Sequence, residues 1–169
     1  MRTILIALIV LGGLSGCMKQ KIARLNAAEQ SHYYALKVWM DDWEEKAFLK
    51  GKTEAERSEW LKDAGYWERF YKYEVEIRDA IVSGDVKASF TQDQVFMAWG
   101  KPHDRKRLTG RPATRSELLV YRFEVSRDGE TLVWAPGSKE TFKAIELYQL
   151  ELYVDDSVVT EILRKNDWD

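Results

Sequence analysis

Cysteine and histidine are the side chains of this chain best suited to nucleophilic or metal chemistry, and they are few. Cys17 is the single cysteine among 169 residues, and His32 and His103 are the two histidines. One cysteine cannot close a disulfide within the chain, and this set does not supply the four ligands of a usual zinc site. A Ser–His–Asp triad would need His32 or His103, and His32 falls on an apolar helical stripe where packing is its expected role. We therefore expect a non-catalytic protein without a metal or other cofactor.

Cys17 closes a segment with the composition of a secretory leader. The chain begins with a basic residue, continues as an apolar run over 4–11, and reaches Cys17 through Leu14, Ser15 and Gly16. This order predicts a signal peptide over 1–16, and the run is shorter than the ~20 residues of a membrane-spanning helix. Leu14-Ser15-Gly16-Cys17 resembles the lipobox of bacterial lipoproteins. The resemblance implies cleavage before Cys17, a diacylglycerol on its sulfur and an acyl chain on its new amino group.

The resemblance to lipoproteins also implies a location. Met18, not aspartate, follows Cys17, and in Gram-negative lipoproteins this favours sorting to the outer membrane. We expect a lipid-anchored protein of the outer membrane that faces the periplasm, with the membrane as its first partner. The formal net charge of −2 is not typical of nucleic-acid binding, so no nucleic-acid partner is expected.

Residues 17–83 are predicted to form a helical segment. Apolar residues recur at steps of three and four from Leu25 to Ala47. Thr53 and Glu56 have the spacing of a capping box, which marks a helix start. We therefore expect one long amphipathic helix and two shorter ones, over 22–50, 54–63 and 66–82.

Residues 84–169 are predicted to form an α+β unit. Thr91 and Gln94 make another capping-box pattern, before a helix that stops at Gly100-Lys101-Pro102. The apolar period then changes to two, and Asp128-Gly129 is a hairpin signal that suits a type I′ turn. Strands are expected over 117–125, 131–134, 142–154 and 157–163, with a turn at 155–156.

The order of elements indicates an α+β fold. N-terminal amphipathic helices precede a short helix and a three- to four-stranded antiparallel meander. One face of the sheet is expected to lie on the helices and the other to be open to solvent or a partner. A bare sheet edge would favour a protein partner that adds a strand.

A pattern around the capped helix is shared with a known family. It consists of Gly84-Asp85-Val86, the stretch 89–95 and Trp99-Gly100-Lys101-Pro102. This pattern resembles the start of the SmpA/OmlA domain, the BamE-like family of outer-membrane lipoproteins, and the resemblance covers roughly 84–164. Ser89-Phe90 stands where the family usually has glycine and methionine. The resemblance implies a BamE-like helix followed by three antiparallel strands, and a binding or scaffolding role with a protein partner in outer-membrane assembly or maintenance.

Basic residues concentrate after the capped helix. We expect them to form a candidate binding loop between helix and sheet, which could hold anionic phospholipid headgroups or an acidic protein. The alternative is a solvated loop without a ligand. The residues of this candidate loop are Lys101, His103, Arg105, Lys106, Arg107 and Arg111.

The seven tryptophans leave a second function open. Trp39 and Trp43 lie one helical turn apart, and Trp67, Phe70 and Tyr71 cluster in sequence. Exposed aromatics of this kind could form a groove for a peptide, a glycan or peptidoglycan on a lipid-anchored module. Aromatic stripes at helical spacing more often pack in the core, with Tyr33, Tyr34 and Tyr73 as the candidates for partial exposure.

Overall fold

The computed structural model describes residues 16–134 and 144–168. In these ranges seven helices precede a five-stranded antiparallel sheet, which confirms the α+β class. The helices are α1 (Gly16–Ala23), α2 (Ala27–Leu36), α3 (Asp42–Phe48), α4 (Glu54–Asp63), α5 (Tyr66–Tyr71), α6 (Val75–Ser83) and α7 (Gln92–Trp99). The strands are β1 (Asp104–Leu108), β2 (Ser116–Val125), β3 (Thr131–Val133), β4 (Glu146–Asp155) and β5 (Val158–Lys165).

The long helix predicted over 22–50 is wrong, because two capping boxes interrupt it. The side chain of Asn26 accepts the N–H of Glu29, and the Glu29 carboxylate accepts the N–H of Asn26. Asp41 and Glu44 make the same reciprocal pair at the start of α3. A capping residue has an extended backbone, with ψ 171° at Asn26, so a helix cannot pass through it. Residues of α1, α2 and α3 contribute to one core, but the predicted stripe is not buried throughout, because Ala28 and Trp43 are exposed.

The next two predicted helices are confirmed in part. Helix α4 covers 54–63 as expected, and Thr53 Oγ1 accepts the N–H of Glu56 at 3.2 Å. The Glu56 carboxylate accepts the N–H of Lys52 at 2.7 Å, so the predicted capping box is only half formed. The helix predicted over 66–82 is two helices, α5 and α6, because Glu74 has the extended backbone of a cap.

Helix α7 begins and ends as predicted, and it joins the two units. Thr91 and Gln94 form the reciprocal box, and Gly100 ends the helix at φ 77°. The Trp99 indole donates to the carbonyl of Gly84 at 3.0 Å. Buried apolar residues of 17–83 and 84–169 form one cluster, so the helical segment packs on the α+β unit.

The sheet is antiparallel and four strands wide. Its order is β1-β2-β4-β5, and β3 lies beside β2 on the same side as β1. Strand β1 pairs with 116–120 and β3 with 123–125, so they share one edge position. The sheet has one strand more than the predicted three or four, and this additional strand is β1. Strand β4 begins at Glu146, and the part of the predicted strand over 142–143 lies outside the described residues.

The type I′ turn lies at the other hairpin. In the β2–β3 turn only Gly129 has a positive φ, of 83°, so the type I′ turn predicted for Asp128-Gly129 is wrong although the hairpin forms. Asp156 and Ser157, between β4 and β5, have φ 46° and 70°. Two consecutive positive φ values are what a type I′ turn requires.

One face of the sheet carries the core. Leu119, Tyr121 and Phe123 are at most 1% exposed, and Trp99 meets the rings of Tyr121 and Phe123 edge-on at 5.1 Å. The second face is less open than predicted. The indole of Trp168 donates to the carbonyls of Phe123 and Tyr148, and the Trp168 ring lies against the guanidinium of Arg122. Three residues on this face are also buried: Val120, Gln149 and Glu151.

Candidate sheet-edge site

The predicted lipidation site lies at the start of the described chain. Leu14 and Ser15 fall outside the described residues, and Gly16 and Cys17 are the first residues of α1. Cleavage before Cys17 and its acylation stay predictions. Helix α1 packs into the core through Ile22, which is 8% exposed. The folded part of the chain therefore begins within a few residues of Cys17.

The predicted basic loop is an edge strand. Arg105, Lys106 and Arg107 lie in β1, which pairs with Ser116–Val120 of β2. Lys101 and His103 precede this strand, and Arg111 follows it. The strand was missed because an edge strand with three exposed residues shows no apolar alternation.

Internal carboxylates neutralise half of this basic cluster. Arg105 donates to Glu117 at 2.6 Å, and Lys106 lies 3.2 Å from Asp104. The bond from Arg105, with two further bonds from Arg115, lowers the pKa of Glu117 to about 2 against the cost of burial. Among the described residues, Lys101 and Arg107 make no ion pair. A tight anion site at β1 is therefore less favoured than the sequence indicated.

Arg111 has a structural partner across the sheet. Its guanidinium donates Nε and Nη2 to the Asp155 carboxylate, the shorter bond being 2.7 Å. Ser116 Oγ donates to the same carboxylate at 2.6 Å. These bonds hold the pKa of Asp155 well below its usual range, Arg111 having the largest effect. The pair fastens the segment after β1 to the β4–β5 turn.

His103 is half-buried next to an aromatic ring. It meets Trp134 edge-on at 5.0 Å, and its backbone N–H donates to Val120. Its Nδ1 is buried without a hydrogen-bond partner among the described residues. Burial, with the nearby Arg122 charge, lowers the pKa of His103. This shift favours the neutral imidazole.

Most aromatic side chains of the helical segment pack against its core. Trp67 and Tyr71 stack at 4.1 Å, and His32 meets both rings edge-on and shares a hydrogen bond with the Tyr71 hydroxyl. Burial lowers the pKa of His32, in agreement with a packing role. Tyr33, predicted as partly exposed, is 1% exposed, whereas Trp43 is 72% exposed.

Strand β5 offers the longer free edge. Ser89–Gln92 pairs with 157–159 on its outer side, with N···O distances of 2.8–2.9 Å. Along Thr160–Lys165, no strand within the described ranges pairs on that side. Six residues at about 3.3 Å each make an edge of about 20 Å. Leu163 is 41% exposed there, and Ile162 is half-buried.

The two edges of the sheet differ in chemistry. Strand β1 exposes Arg105, Lys106 and Arg107, and charged edges oppose pairing with another strand. Both edges carry two paired charges and one without an ion pair among the described residues: Arg164 and Lys165 of β5 pair with Glu146 and Glu151, and Glu161 does not pair. The β5 edge differs from β1 in its apolar residues, the half-buried Ile162 and the exposed Leu163. Backbone N–H and C=O groups at an unpaired edge are the groups that bind an added strand. We therefore take 160–165, the β5 edge, as the candidate binding site.

The described residues hold no group of three or more His, Cys, Asp or Glu side chains placed to bind a metal ion. No helix in 16–134 or 144–168 is long and apolar enough to cross a membrane. The chain matches no protein-family model, no curated protein and no solved structure in the comparisons made.

Proposed function

We propose that this chain is a lipid-anchored, non-catalytic envelope protein that acts as a binding or scaffolding module in outer-membrane assembly or maintenance. Cys17 is its acylated anchor, and the α+β unit faces the periplasm. The β5 edge takes up a strand of a protein partner. The observation that carries the proposal is the unpaired edge along Thr160–Lys165, beside a half-buried Ile162 and an exposed Leu163.

A BamE-like arrangement of the second unit is part of the proposal. Helix α7 is capped by Thr91 and Gln94 and stopped by Gly100, as the SmpA/OmlA pattern requires. The long strands β2, β4 and β5 then lie side by side and antiparallel. Ser89, at the usual glycine position of the family, has φ 79°. A positive φ is the conformation for which glycine is selected, so the local geometry supports the resemblance.

In-cell photocrosslinking would test the partner. A photoreactive amino acid replaces Leu163 on the β5 edge, and a matched chain carries it at Arg107 on the β1 edge. An added strand would lie about 5 Å from the edge, within reach of either label. After irradiation, adducts are purified from membranes and identified by mass spectrometry. We expect outer-membrane barrel-assembly components to crosslink at position 163 and not at 107.

A second variant separates strand addition from nearby contact. Leu163→Lys leaves the fold intact because the side chain is exposed, and it places a charge on the edge. We expect this variant to recover less of the same component. Equal adducts at both positions, or capture of cell-wall glycan at either, would contradict the proposal. Glycan adducts at a label replacing Trp43 would favour the aromatic alternative.

A further inference from the structure

A second basic site lies in the helical segment, away from the sheet edges. A cleft of about 380 Å³ opens between the end of α1 and the segment that joins α3 to α4. Pockets for small ligands measure about 300–1,000 Å³, so this cleft has the size for a small group such as a lipid headgroup. Its lining has five cationic side chains and no carboxylate: Lys21, Arg24, Lys50, Lys52 and Arg57.

The cations of this cleft differ from those of β1 in having few internal partners. Lys21, Arg24, Lys50 and Lys52 make no ion pair with any described residue. They converge from two sequence segments, 21–24 and 50–52, onto one concavity. Four like charges held close together without an anion repel each other, and a bound anion would relieve that repulsion.

Arg57 is fixed at the base of the cleft. Its Nε donates to Glu29 at 2.6 Å and its Nη1 donates to the carbonyl of Gly51 at 2.7 Å. Nη2 has no hydrogen-bond partner among the described residues. A Cβ at Gly51 would lie 2.7 Å from Arg57 Cγ, so the absence of a side chain at Gly51 lets the loop close over Arg57. A guanidinium held in this way is preorganised to bind a phosphate oxygen.

The cleft also lies close to the proposed anchor. Cys17 and Lys21 belong to the same helix, α1, and are four residues apart, which is about 6 Å along the helix axis. If Cys17 carries the lipid, the cleft is held at the depth of the lipid headgroups. We propose that this cleft binds the phosphate of an anionic phospholipid headgroup of the membrane that holds the anchor. This proposal rests on the proposed lipid anchoring.

The test uses the full chain in micelles of a neutral, uncharged detergent. Amide signals of Gly51 and Lys52 and the Arg57 Nε–H signal are followed by NMR during three titrations. The probes are inorganic phosphate, short-chain phosphatidylglycerol and short-chain phosphatidylcholine. We expect saturable shifts at these signals, with phosphatidylglycerol at least tenfold tighter than inorganic phosphate. Phosphatidylcholine has the same phosphate but no net charge, and it should bind much more weakly.

A pair of matched variants locates the site. Lys21→Gln with Lys52→Gln removes two cleft charges, while Lys101→Gln with Arg107→Gln removes two unpaired charges at β1. All four side chains are exposed and make no ion pair with a described residue, so both variants should fold. Each cation near an anionic group contributes about 1 kcal/mol, so the cleft variant should bind phosphatidylglycerol about thirtyfold more weakly. The β1 variant should bind like the wild type.

The outcomes separate this site from the anchor. Equal affinity for inorganic phosphate and phosphatidylglycerol would replace the lipid by a free phosphate as ligand. No shift with any probe, or an equal loss in both variants, would overturn the proposal. Acyl labelling of Cys17 is measured on the same preparations. If the chain carries no acyl label but still binds phosphatidylglycerol, the proposed anchor is refuted and the proposed headgroup site stands. If the chain is acylated but does not bind phosphatidylglycerol, the headgroup site is refuted and the anchor stands.

Discussion

Ser89→Gly should stabilise the protein. The N–H of Phe90 donates to the carbonyl of Lys87 at 3.2 Å, so residues 87–90 form a turn with Ser89 as its third residue. The φ of Ser89 is 79°, which is the value of a type II turn at that position, where glycine is preferred. The Ser89 N–H donates to Val159 at 2.8 Å, so pairing with β5 holds this backbone in place. Ser89 is exposed, and its hydroxyl makes no hydrogen bond to the described residues.

The size of the effect follows from two opposing terms. A left-handed backbone costs a non-glycine residue about 1–2 kcal/mol, and glycine costs about 0.5–1 kcal/mol more conformational entropy on folding. The difference is a gain of about 0.5–1 kcal/mol. For a chain of this length, that corresponds to a rise in Tm of about 1–4 °C.

Urea unfolding and thermal melts of the full chain would measure this gain. Ser89→Ala is the matched control, because it removes the hydroxyl and keeps the Cβ that causes the strain. We expect the alanine variant to be no more stable than the wild type. A glycine variant that is less stable than wild type, or an alanine variant that gains as much, would refute the assigned strain.

Three further outcomes follow from the structure, and a fourth tests the proposed lipid anchor. Arg57→Met should lower the free energy of urea unfolding by about 3–5 kcal/mol, because the Glu29 carboxylate, 4% exposed, loses its ion-pair partner. Adding Glu29→Gln to this variant should recover part of the lost stability. The ionised Glu117 carboxylate contributes stability that is complete above pH 4.5 and is lost as the pH falls towards its folded pKa of about 2. Glu117→Gln should therefore lower the free energy of unfolding at pH 7 and reduce its dependence on pH in the acid range. Trp99→Phe should cost about 1 kcal/mol for the lost bond to a buried carbonyl, as urea unfolding would record. Cys17→Ala should remain an unacylated precursor, and normal acyl labelling of this variant would contradict the anchor.

Local signals predicted the ends of elements well where one pattern dominated. The start and end of α7 were predicted because Thr91, Gln94 and Gly100 lie within ten residues of sequence. The prediction of one long first helix was wrong because apolar periodicity continues past Asn26 and Asp41, the residues that cap α2 and α3. An asparagine or aspartate followed by glutamate three residues on has the capping-box spacing, which periodicity alone does not report. Periodicity reports which face is buried, whereas capping decides where each helix starts.

The sheet shows a different limit of local patterns. Strand β1 has no buried apolar residue, and it exists because its backbone pairs with the long, buried β2. Strand β5 was predicted over 157–163, after the turn at 155–156. The free edge of β5 could not be predicted in the same way. One end of this edge is covered by the pairing of 157–159 with 89–92, which lie nearly 70 residues apart in sequence. An edge is a property of the assembled sheet and not of any one strand.

The charge distribution shows what a count of basic residues along the chain leaves out. In the run 101–111, carboxylates that the fold brings from elsewhere pair with Arg105 and Arg111, while Lys101 and Arg107 make no ion pair with a described residue. The cleft in the helical segment draws its basic residues from separate short stretches of sequence, and its lysines make no ion pair with any described residue. Since an ion pair within the fold competes with an external anion for the same donors, the unpaired cations are the ones available for binding. We therefore propose the lipid contact next to α1 and not beside the sheet, and this proposal leaves the sheet edge for the proposed protein partner.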